Sequence, residues 1–221
     1  MDGFWYLDQL GSLASLGMDT LLWLACKGPC AHTIPRCAAH GPPPYLRRPI
    51  PAGHAAVCRQ SLFGTSYGLL NVTDFDHIEP QSDFYVGLLW KHLMGVHALK
   101  TSSSSSNIRA YAHCHAARNG SVVVAYINLN KEATAVDFSV KTAGADTPAD
   151  PLTARGGLLY SLQAKTLVSQ AVELNGRTLA FDADNNAPDL SGRPVASTAL
   201  PGESFGFVQL SDDVTVPSCK A

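Results

Sequence analysis

Charge is scarce in this sequence and nearly balanced. Of the 221 residues, 15% are charged, and the formal net charge is −2 at pH 7. Because it has no strongly basic face, we exclude a nucleic-acid-binding protein of the usual electrostatic kind. Apolar runs of the roughly 18 residues that a membrane-spanning helix needs are also missing. The longest strong apolar runs, 21–26 and 122–127, suit strands or core segments.

Glutamate is rare, with four residues in the whole chain: Glu79, Glu132, Glu173 and Glu203. They occupy a loop, two turns and a predicted strand, and none has the setting of a catalytic acid at the end of a barrel strand. A Gly-x-Ser-x-Gly elbow, a phosphate loop and a dinucleotide fingerprint are absent as well. The residues alone therefore predict no catalytic carboxylate pair, no cofactor and no metal.

The N-terminus lacks the positive charge of a secretion signal, since Asp2 stands in its place, and we expect no signal peptide in this chain. Two N-glycosylation acceptors, at Asn71 and Asn119, and six cysteines nevertheless favour a secreted protein. A cytosolic protein with free thiols is the alternative, and composition does not decide between them.

Residues 21–56 contain no Asp or Glu, but seven of the fourteen prolines and three of the six cysteines. This composition predicts a disordered insertion. Two weaker readings stay open. The proline-rich stretch 41–49, with paired Arg47 and Arg48, can dock on an SH3-type groove. A zinc site is the other reading, although the spacing of its soft ligands matches no familiar pattern: Cys26, Cys30, His32, Cys37 and His40.

Apolar periodicity predicts a helix over 4–17, a short strand over 57–63 and, after a polar loop, a second helix over 82–94. Ser82 is the expected N-cap of that helix, and Gly95 its expected stop. Its expected buried stripe is Phe84, Leu88, Leu89 and Leu93. Strand, loop and helix in this order are typical of an α/β architecture.

Residues 101–107 include five consecutive serines and predict a linker at a domain boundary. Beyond it the apolar period changes to two, and Asn175-Gly176 predicts a hairpin turn. The expected strands cover 108–114, 121–128, 133–140, 172–174, 178–181, 204–210 and 214–216. Many short strands at this spacing suggest an antiparallel sandwich.

Five separated segments resemble, in order, the heparanase-like β-glucuronidases of glycoside hydrolase family 79. Their amino-acid sequences are most similar to those of green-lineage members. They are Gly3–Gly11, Cys58–Asn71, Asp83–Gly95, the motif Arg109-x-Tyr111-x-His113-Cys114, and Val216–Cys219. The resemblance covers about 185 residues, everything except the 21–56 block. It implies a C-terminal fragment, with the end of a (β/α)8 barrel in 1–100 and an antiparallel β-sandwich domain in 101–221. It also suggests that the block is a retained intron.

The same resemblance implies retaining hydrolysis of β-glucuronides by two Glu side chains with carboxyl groups about 5–5.5 Å apart. In the family both lie upstream of the Gly3–Gly11 segment, so neither is assigned to a residue here. We therefore expect this chain alone to be inactive. A non-catalytic carbohydrate-binding or interaction module is the alternative.

One part of the family's active site does carry over, as a loop that contacts the uronic acid carboxylate through backbone N–H groups and a Tyr hydroxyl. Neutral donors can hold a carboxylate through charge-assisted hydrogen bonds. The matching residues are Gln60, Gly64, Thr65, Ser66 and Tyr67. The chain departs from the family at Thr65-Ser66, where relatives have Gly-Asn, and Thr65 would resist a positive φ.

The resemblance further implies a disulfide between Cys114 and Cys219. It implies a glucuronide-containing glycan or glycoside as partner, and a location outside the cell, in the cell wall, or in the vacuole or lysosome. It allows peripheral association with a membrane, without a transmembrane segment.

Overall fold

The structure, a computed structural model, describes residues 2–15, 21–23, 56–58, 62–63, 68–74, 77–140, 150–152, 156–166, 169, 171–184, 186–195, 198–212 and 215–220. Its helices are α1, Asp2–Ser15, and α2, Ser82–Leu93. Its strands are β1 Leu21–Trp23, β2 Ala56–Cys58, β3 Leu70–Asp74, β4 His77–Pro80, β5 Met94–Leu99, β6 Ile108–His115, β7 Val122–Asn128, β8 Thr134–Ala135, β9 Phe138–Val140, β10 Asp150–Leu152, β11 Leu158–Gln163, β12 Glu173–Leu174, β13 Arg177–Thr178, β14 Arg193–Pro194, β15 Ala199–Leu200 and β16 Ser204–Gln209.

The centre of the molecule is an eight-stranded antiparallel sheet. Its order is β13-β12-β11-β16-β7-β6-β5, with β14 paired to β11 as well. Strand β7 is buried along its whole length because both faces of the sheet are covered. Alternate side chains of β7 therefore lie on opposite faces of the sheet. Val123, Ala125 and Ile127 join one core, and Val122, Val124 and Tyr126 join another.

The two helices cover one face of the sheet. In α1 the apolar residues that recur every three or four positions, including Leu7, Leu10 and Ala14, are buried in the first core. The predicted helices are thus confirmed: α1 begins and ends two residues earlier than predicted, and α2 begins at Ser82 as predicted and ends one residue earlier. On the opposite face, the second core packs β15, Val195 and the C-terminal residues Val216 and Cys219 against the sheet.

The expected fold, the end of a barrel followed by a β-sandwich, is met only in part. The described residues are mostly antiparallel sheet with helices on one face. Parallel pairing among them is confined to β1 with β2 and to a bridge between Phe63 and Leu70. The first of these pairs joins the two ends of the 21–56 block, through Leu21–Ala56. Apart from 21–23 and 56, the residues of the block lie outside the described part of the chain, and the predicted disorder concerns them.

The serine-rich segment is a loop inside the sheet, whereas the sequence predicted a boundary between domains there. Strand β5 follows α2 directly and pairs with β6, so the polypeptide on both sides of the loop belongs to one sheet. Thr101 Oγ1 donates to the Ala110 carbonyl at 2.9 Å, and Ser103 and Ser105 bond to each other locally. Hydroxyl-to-backbone bonds of this kind order a turn that composition alone marks as flexible.

The N-cap and the buried face of helix α2 differ from the prediction. Its N-cap is Gln81, and the Ser82 hydroxyl instead accepts a hydrogen bond from the Gly3 N–H at 3.0 Å. It ends at Leu93, so Gly95 lies in a strand. Leu89 and Leu93 are buried as predicted, whereas Phe84 and Leu88 are only half-buried. Contact with both α1 and the sheet also turns Tyr85, Val86 and Trp90 inward.

The strands differ from the prediction at several places, and two of these concern the central sheet and the C-terminal residues. Strand β11, a central strand between β12 and β16, was not predicted, although its run Leu158–Leu162 is largely apolar. The strand predicted at 214–216 is absent at residues 215 and 216, which lead into a 3₁₀ turn at Pro217–Cys219. Proline at the start of that turn cannot donate a ladder hydrogen bond, which favours the turn.

Candidate functional site

The residues expected to contact substrate, Gln60, Gly64, Thr65, Ser66 and Tyr67, lie outside the described residues. The base of their loop is described. The Leu70 N–H donates to the Leu62 carbonyl at 2.9 Å, and Phe63 bridges Leu70 in parallel. These contacts hold Leu62 and Phe63 next to Leu70.

This loop base is tied to the starts of both helices. The Gln81 N–H, just before α2, donates to the Leu69 carbonyl at 2.8 Å. Ser82 in turn accepts from Gly3 at the start of α1. A Cβ on Gly3 would lie 2.6 Å from Phe205 Cζ, so only glycine allows this approach. The loop base and both helix starts therefore form one corner of the molecule.

The larger of the two best-formed clefts among the described residues lies at this corner and has a volume of about 40 Å³. Sites for drug-sized ligands measure about 300–1,000 Å³, so the cleft does not hold a sugar ring. Among the described residues that line it, Glu203 is the only carboxylate. A retaining glycosidase needs two carboxylates facing one substrate, and this cleft does not provide them.

A polar cluster joins α1 to the sheet, and we call it the Asp8 latch: Asp8, Ser12, Arg109 and Tyr111. The Tyr111 hydroxyl donates to Asp8 Oδ1 at 2.6 Å, and Arg109 Nη1 bonds to Asp8 Oδ2. Ser12 Oγ lies 3.1 Å from the Tyr111 hydroxyl. Burial and the Asp8 carboxylate raise the pKa of Tyr111, and the hydrogen bond to Asp8 raises the pKa of Arg109.

The Asp8 latch explains why two of the resembling segments occur together. Gly3–Gly11 and the Arg109-x-Tyr111 motif lie about a hundred positions apart in the chain, yet they meet here. Sequence reasoning noted both motifs and missed their contact. No local signal predicts it, because the helix and the strand each look complete on their own.

Gly11 gives a direct test of the Asp8 latch. A Cβ at this position would overlap the Tyr111 ring, whose hydroxyl is bonded to Asp8. Gly→Ala inside a helix normally stabilises by about 1 kcal/mol. Here we expect Gly11→Ala to lower the free energy of unfolding by about 1–2 kcal/mol through overpacking, measured by urea denaturation. In a Tyr111→Leu background the same change should be neutral or stabilising, and a stabilised single variant would contradict the packing.

The far end of β6 carries the expected disulfide. Cys114 and Cys219 are bonded, with their Cα atoms 5.2 Å apart, so β6 is tied to the C-terminal 3₁₀ turn. Two histidines flank Cys114. His113 Nδ1 lies 2.6 Å from the Gly95 carbonyl oxygen, while His115 Nδ1 accepts from the backbone N–H groups of Ala117 and Arg118 at 3.0 and 3.2 Å.

Both histidines resist protonation in the folded protein. Burial lowers the pKa of His113 below its usual value, partly offset by the hydrogen bond to Gly95. Burial also lowers the pKa of His115, and the nearby Arg118 and His92 lower it further, against opposing effects of Asp212 and Gln209. A proton on His115 Nδ1 would also break the two hydrogen bonds that this atom accepts.

Acidification is therefore expected to destabilise the protein between about pH 7 and pH 5. Histidine in an unfolded chain titrates near pH 6.5, so below that pH the unfolded state binds more protons than the folded state. The stabilisation is complete above pH 6.5 and is lost as pH falls toward the lowered folded pKa values. Urea midpoints measured across this range should fall. His115→Gln should flatten the dependence; a curve parallel to that of the parent chain would refute the assignment.

The two glycosylation acceptors differ in exposure. Asn119 is exposed in a turn, and Asn71 is half-buried in β3 opposite Glu79. Within the described ranges no group of three His, Cys, Asp or Glu residues is placed to hold a metal ion. The zinc alternative rests on 26–40 and lies outside them. No helix in the described part of the chain is long and apolar enough to span a membrane.

Comparison with known proteins connects these features to one family. The chain is 32% identical to heparanase-like protein 3 of Arabidopsis thaliana over 98% of its length, covering 37% of that protein. It is 26% identical to baicalin-β-D-glucuronidase of Scutellaria baicalensis over its whole length, covering 34% of that enzyme. Mouse heparanase is 28% identical over 70% of the chain and is covered to 29%. The chain thus spans about a third of the length of these curated relatives.

Two other comparisons add little. No family model matches the chain. Among solved structures it is similar to BuGH86 in complex with neoagarooctaose, with a TM-score of 0.40 and 15% identity, covering 70% of this chain and 22% of that one. A likeness at this level carries no argument. The relatives agree with the five resembling segments, and the chain belongs to the heparanase-like family, glycoside hydrolase family 79.

Proposed function

We propose that the protein to which this chain belongs hydrolyses β-linked glucuronides in a glycan or a small glycoside. The observation that carries the proposal is the similarity along the whole chain to an enzyme named baicalin-β-D-glucuronidase, together with heparanase-like proteins. Because the chain covers only about a third of these relatives, it supplies part of such an enzyme.

In this proposal the two catalytic carboxylates come from outside the 221 residues. One protonates the leaving oxygen and the other attacks the sugar, which retains its configuration. The larger cleft of the described residues has one carboxylate, Glu203, which is consistent with this assignment. The chain by itself is then inactive toward glucuronides, since nucleophile and acid are both missing.

The contribution of this chain to the site is recognition of the uronic acid group. The Tyr67 hydroxyl, the N–H groups of segment 64–66 and the Gln60 amide bind the substrate carboxylate through charge-assisted hydrogen bonds. The hydrogen bond between Leu62 and Leu70 supports this role, because it holds the described residues on either side of segment 64–67 close together.

We further propose that the protein follows the secretory route, to the cell exterior, the cell wall, or the vacuole or lysosome. The Cys114–Cys219 disulfide supports this, since disulfides persist in oxidising compartments. Peripheral association with a membrane is compatible with the same route.

A chimaera tests the proposed function. The third of baicalin-β-D-glucuronidase that matches this chain is replaced by the chain, and release of glucuronic acid from baicalin is measured. We expect activity from the chimaera and none from the 221-residue chain alone. Tyr67→Phe in the chimaera is expected to raise KM about tenfold, which corresponds to one hydrogen bond to a charged group.

Two controls make this experiment decisive. A second chimaera without residues 24–55 shows whether the inserted block itself blocks folding. An aryl β-glucoside, which lacks the carboxylate, reports whether the Tyr67→Phe effect depends on the uronic acid group. Turnover by the chain alone, or a well-folded chimaera without activity, contradicts the proposal; binding without turnover favours a carbohydrate-binding module.

A further inference from the structure

The turn after β6 carries the acceptor motif Asn119-Gly120-Ser121. Asn119 is exposed, and so are the three residues before it in the turn, 116–118. A bulky, hydrated group on the Asn119 side chain therefore has room on the surface of the folded protein. The first residue of the motif is compatible with an N-linked glycan.

The other half of the motif is buried. Ser121 is 5% exposed, and its hydroxyl has no hydrogen-bond partner among the described residues. Its N–H donates to the Arg118 carbonyl at 3.2 Å, and its carbonyl accepts from the His115 N–H at 2.9 Å. The motif requires Ser or Thr two positions after Asn, so the modifying enzyme must recognise both side chains. In the folded protein the Ser121 hydroxyl is buried, so the modifying enzyme cannot reach it.

The C-terminal segment lies against the middle residue of the motif, Gly120. The Gly120 N–H donates to the Cys219 carbonyl at 2.8 Å, and the Gly120 carbonyl accepts from the Val216 N–H at 2.9 Å. A Cβ on Gly120 would lie 2.5 Å from Thr215 Cγ2, so the approach is close. The Cys114–Cys219 disulfide anchors this segment on the strand that leads into the turn.

We propose that Asn119 is N-glycosylated, and that closure of the Cys114–Cys219 disulfide ends its access to the glycosyl transferase. In the transfer step the Asn119 amide nitrogen bonds to C1 of a lipid-diphosphate-linked oligosaccharide. The bond between C1 and the phosphate oxygen breaks, the lipid diphosphate leaves with the bonding electrons, and one amide proton goes to a base. Glycosylation therefore precedes disulfide formation.

The order of synthesis agrees with this order of events. Cys219 is made about a hundred residues after Asn119. During translation the acceptor motif is exposed before either residues 215–219 or the second cysteine exists. Once these residues have folded, the same fold that closes the disulfide leaves the Ser121 hydroxyl buried.

The experiment uses the isolated 221-residue chain, so it fails or succeeds independently of the proposed glucuronidase activity and of the secretory route. Unglycosylated chain is produced in bacteria and oxidised, and the disulfide is verified by non-reducing peptide mapping. It is then compared with the Cys114→Ser/Cys219→Ser chain as acceptor for detergent-solubilised oligosaccharyl transferase and a lipid-diphosphate-linked oligosaccharide. Mass spectrometry measures occupancy at Asn119 and Asn71 separately.

We expect occupancy at Asn119 to be at least tenfold higher in the chain without the disulfide than in the oxidised chain. Asn119→Gln and Ser121→Ala in the Cys114→Ser/Cys219→Ser background should each abolish modification at this site and leave Asn71 as the internal reference. Equal occupancy with and without the disulfide overturns the proposed order. Absence of modification at Asn119 in both chains overturns the site itself.

Discussion

Replacing Cys114 and Cys219 together by serine is expected to lower the free energy of unfolding by about 4–5 kcal/mol. The two residues are 105 positions apart, and cross-linking a loop of about this length removes roughly that much chain entropy from the unfolded state. Urea denaturation at 25 °C measures the loss. The effect is large compared with the 5–15 kcal/mol of total stability typical for a domain.

Reduction of the unmodified chain provides the matched control for this variant. If the cross-link itself stabilises, the reduced chain and the double serine variant should have nearly the same urea midpoint. Cys114 and Cys219 are buried in the second core, so a small additional loss from the polar serines is expected. A loss below 1 kcal/mol in both samples would contradict an entropic role for the bond.

Gly206→Ala is expected to destabilise the protein by about 4 kcal/mol or to prevent folding. Gly206 lies in the middle of β16 with φ at 152°, a conformation that residues with a side chain rarely adopt. A Cβ there would overlap the backbone carbonyl of Tyr160 on the neighbouring strand β11. The backbone strain and the steric overlap each cost about 1–3 kcal/mol, and the sheet cannot move aside.

Gly176 separates these two costs. It also has a positive φ, 81°, but a Cβ at this position would have no atom within 4 Å. Gly176→Ala should therefore show only the cost of the backbone conformation, about 1 kcal/mol. Both variants are compared by urea denaturation. Similar losses at the two positions would show that the close approach of Gly206 to Tyr160 is not a source of destabilisation.

Local patterns made some elements predictable. Both helices follow from apolar residues that recur every three or four positions, and β6 and β7 follow from alternation and a continuous apolar run. The hairpin turn at Asn175-Gly176 joins β12 to β13 as expected, because both residues adopt positive φ. Each of these signals depends on residues within a few positions of one another.

Other elements were decided by contacts between distant segments. Strand β11 is short and apolar without alternation, and it became a strand by pairing with β16. The inward face of α2 was set by its two neighbours, and the serine loop was ordered by its own hydroxyl groups. Composition could not distinguish that loop from a linker, because the same residues serve in both.

By itself the sequence determined the family, the two helices, the acceptor motifs and the cysteine pair, because short segments carry the signals for each. Only the tertiary structure decided that Asp8 meets Arg109 and Tyr111, that Gly206 has no room for a side chain, and that Ser121 is buried next to the contact between Gly120 and the C-terminal segment. The physical reason is common to all three. A hydrogen bond, an overlap or a buried hydroxyl depends on separations of a few ångströms between segments far apart in the chain, and only folding sets those separations.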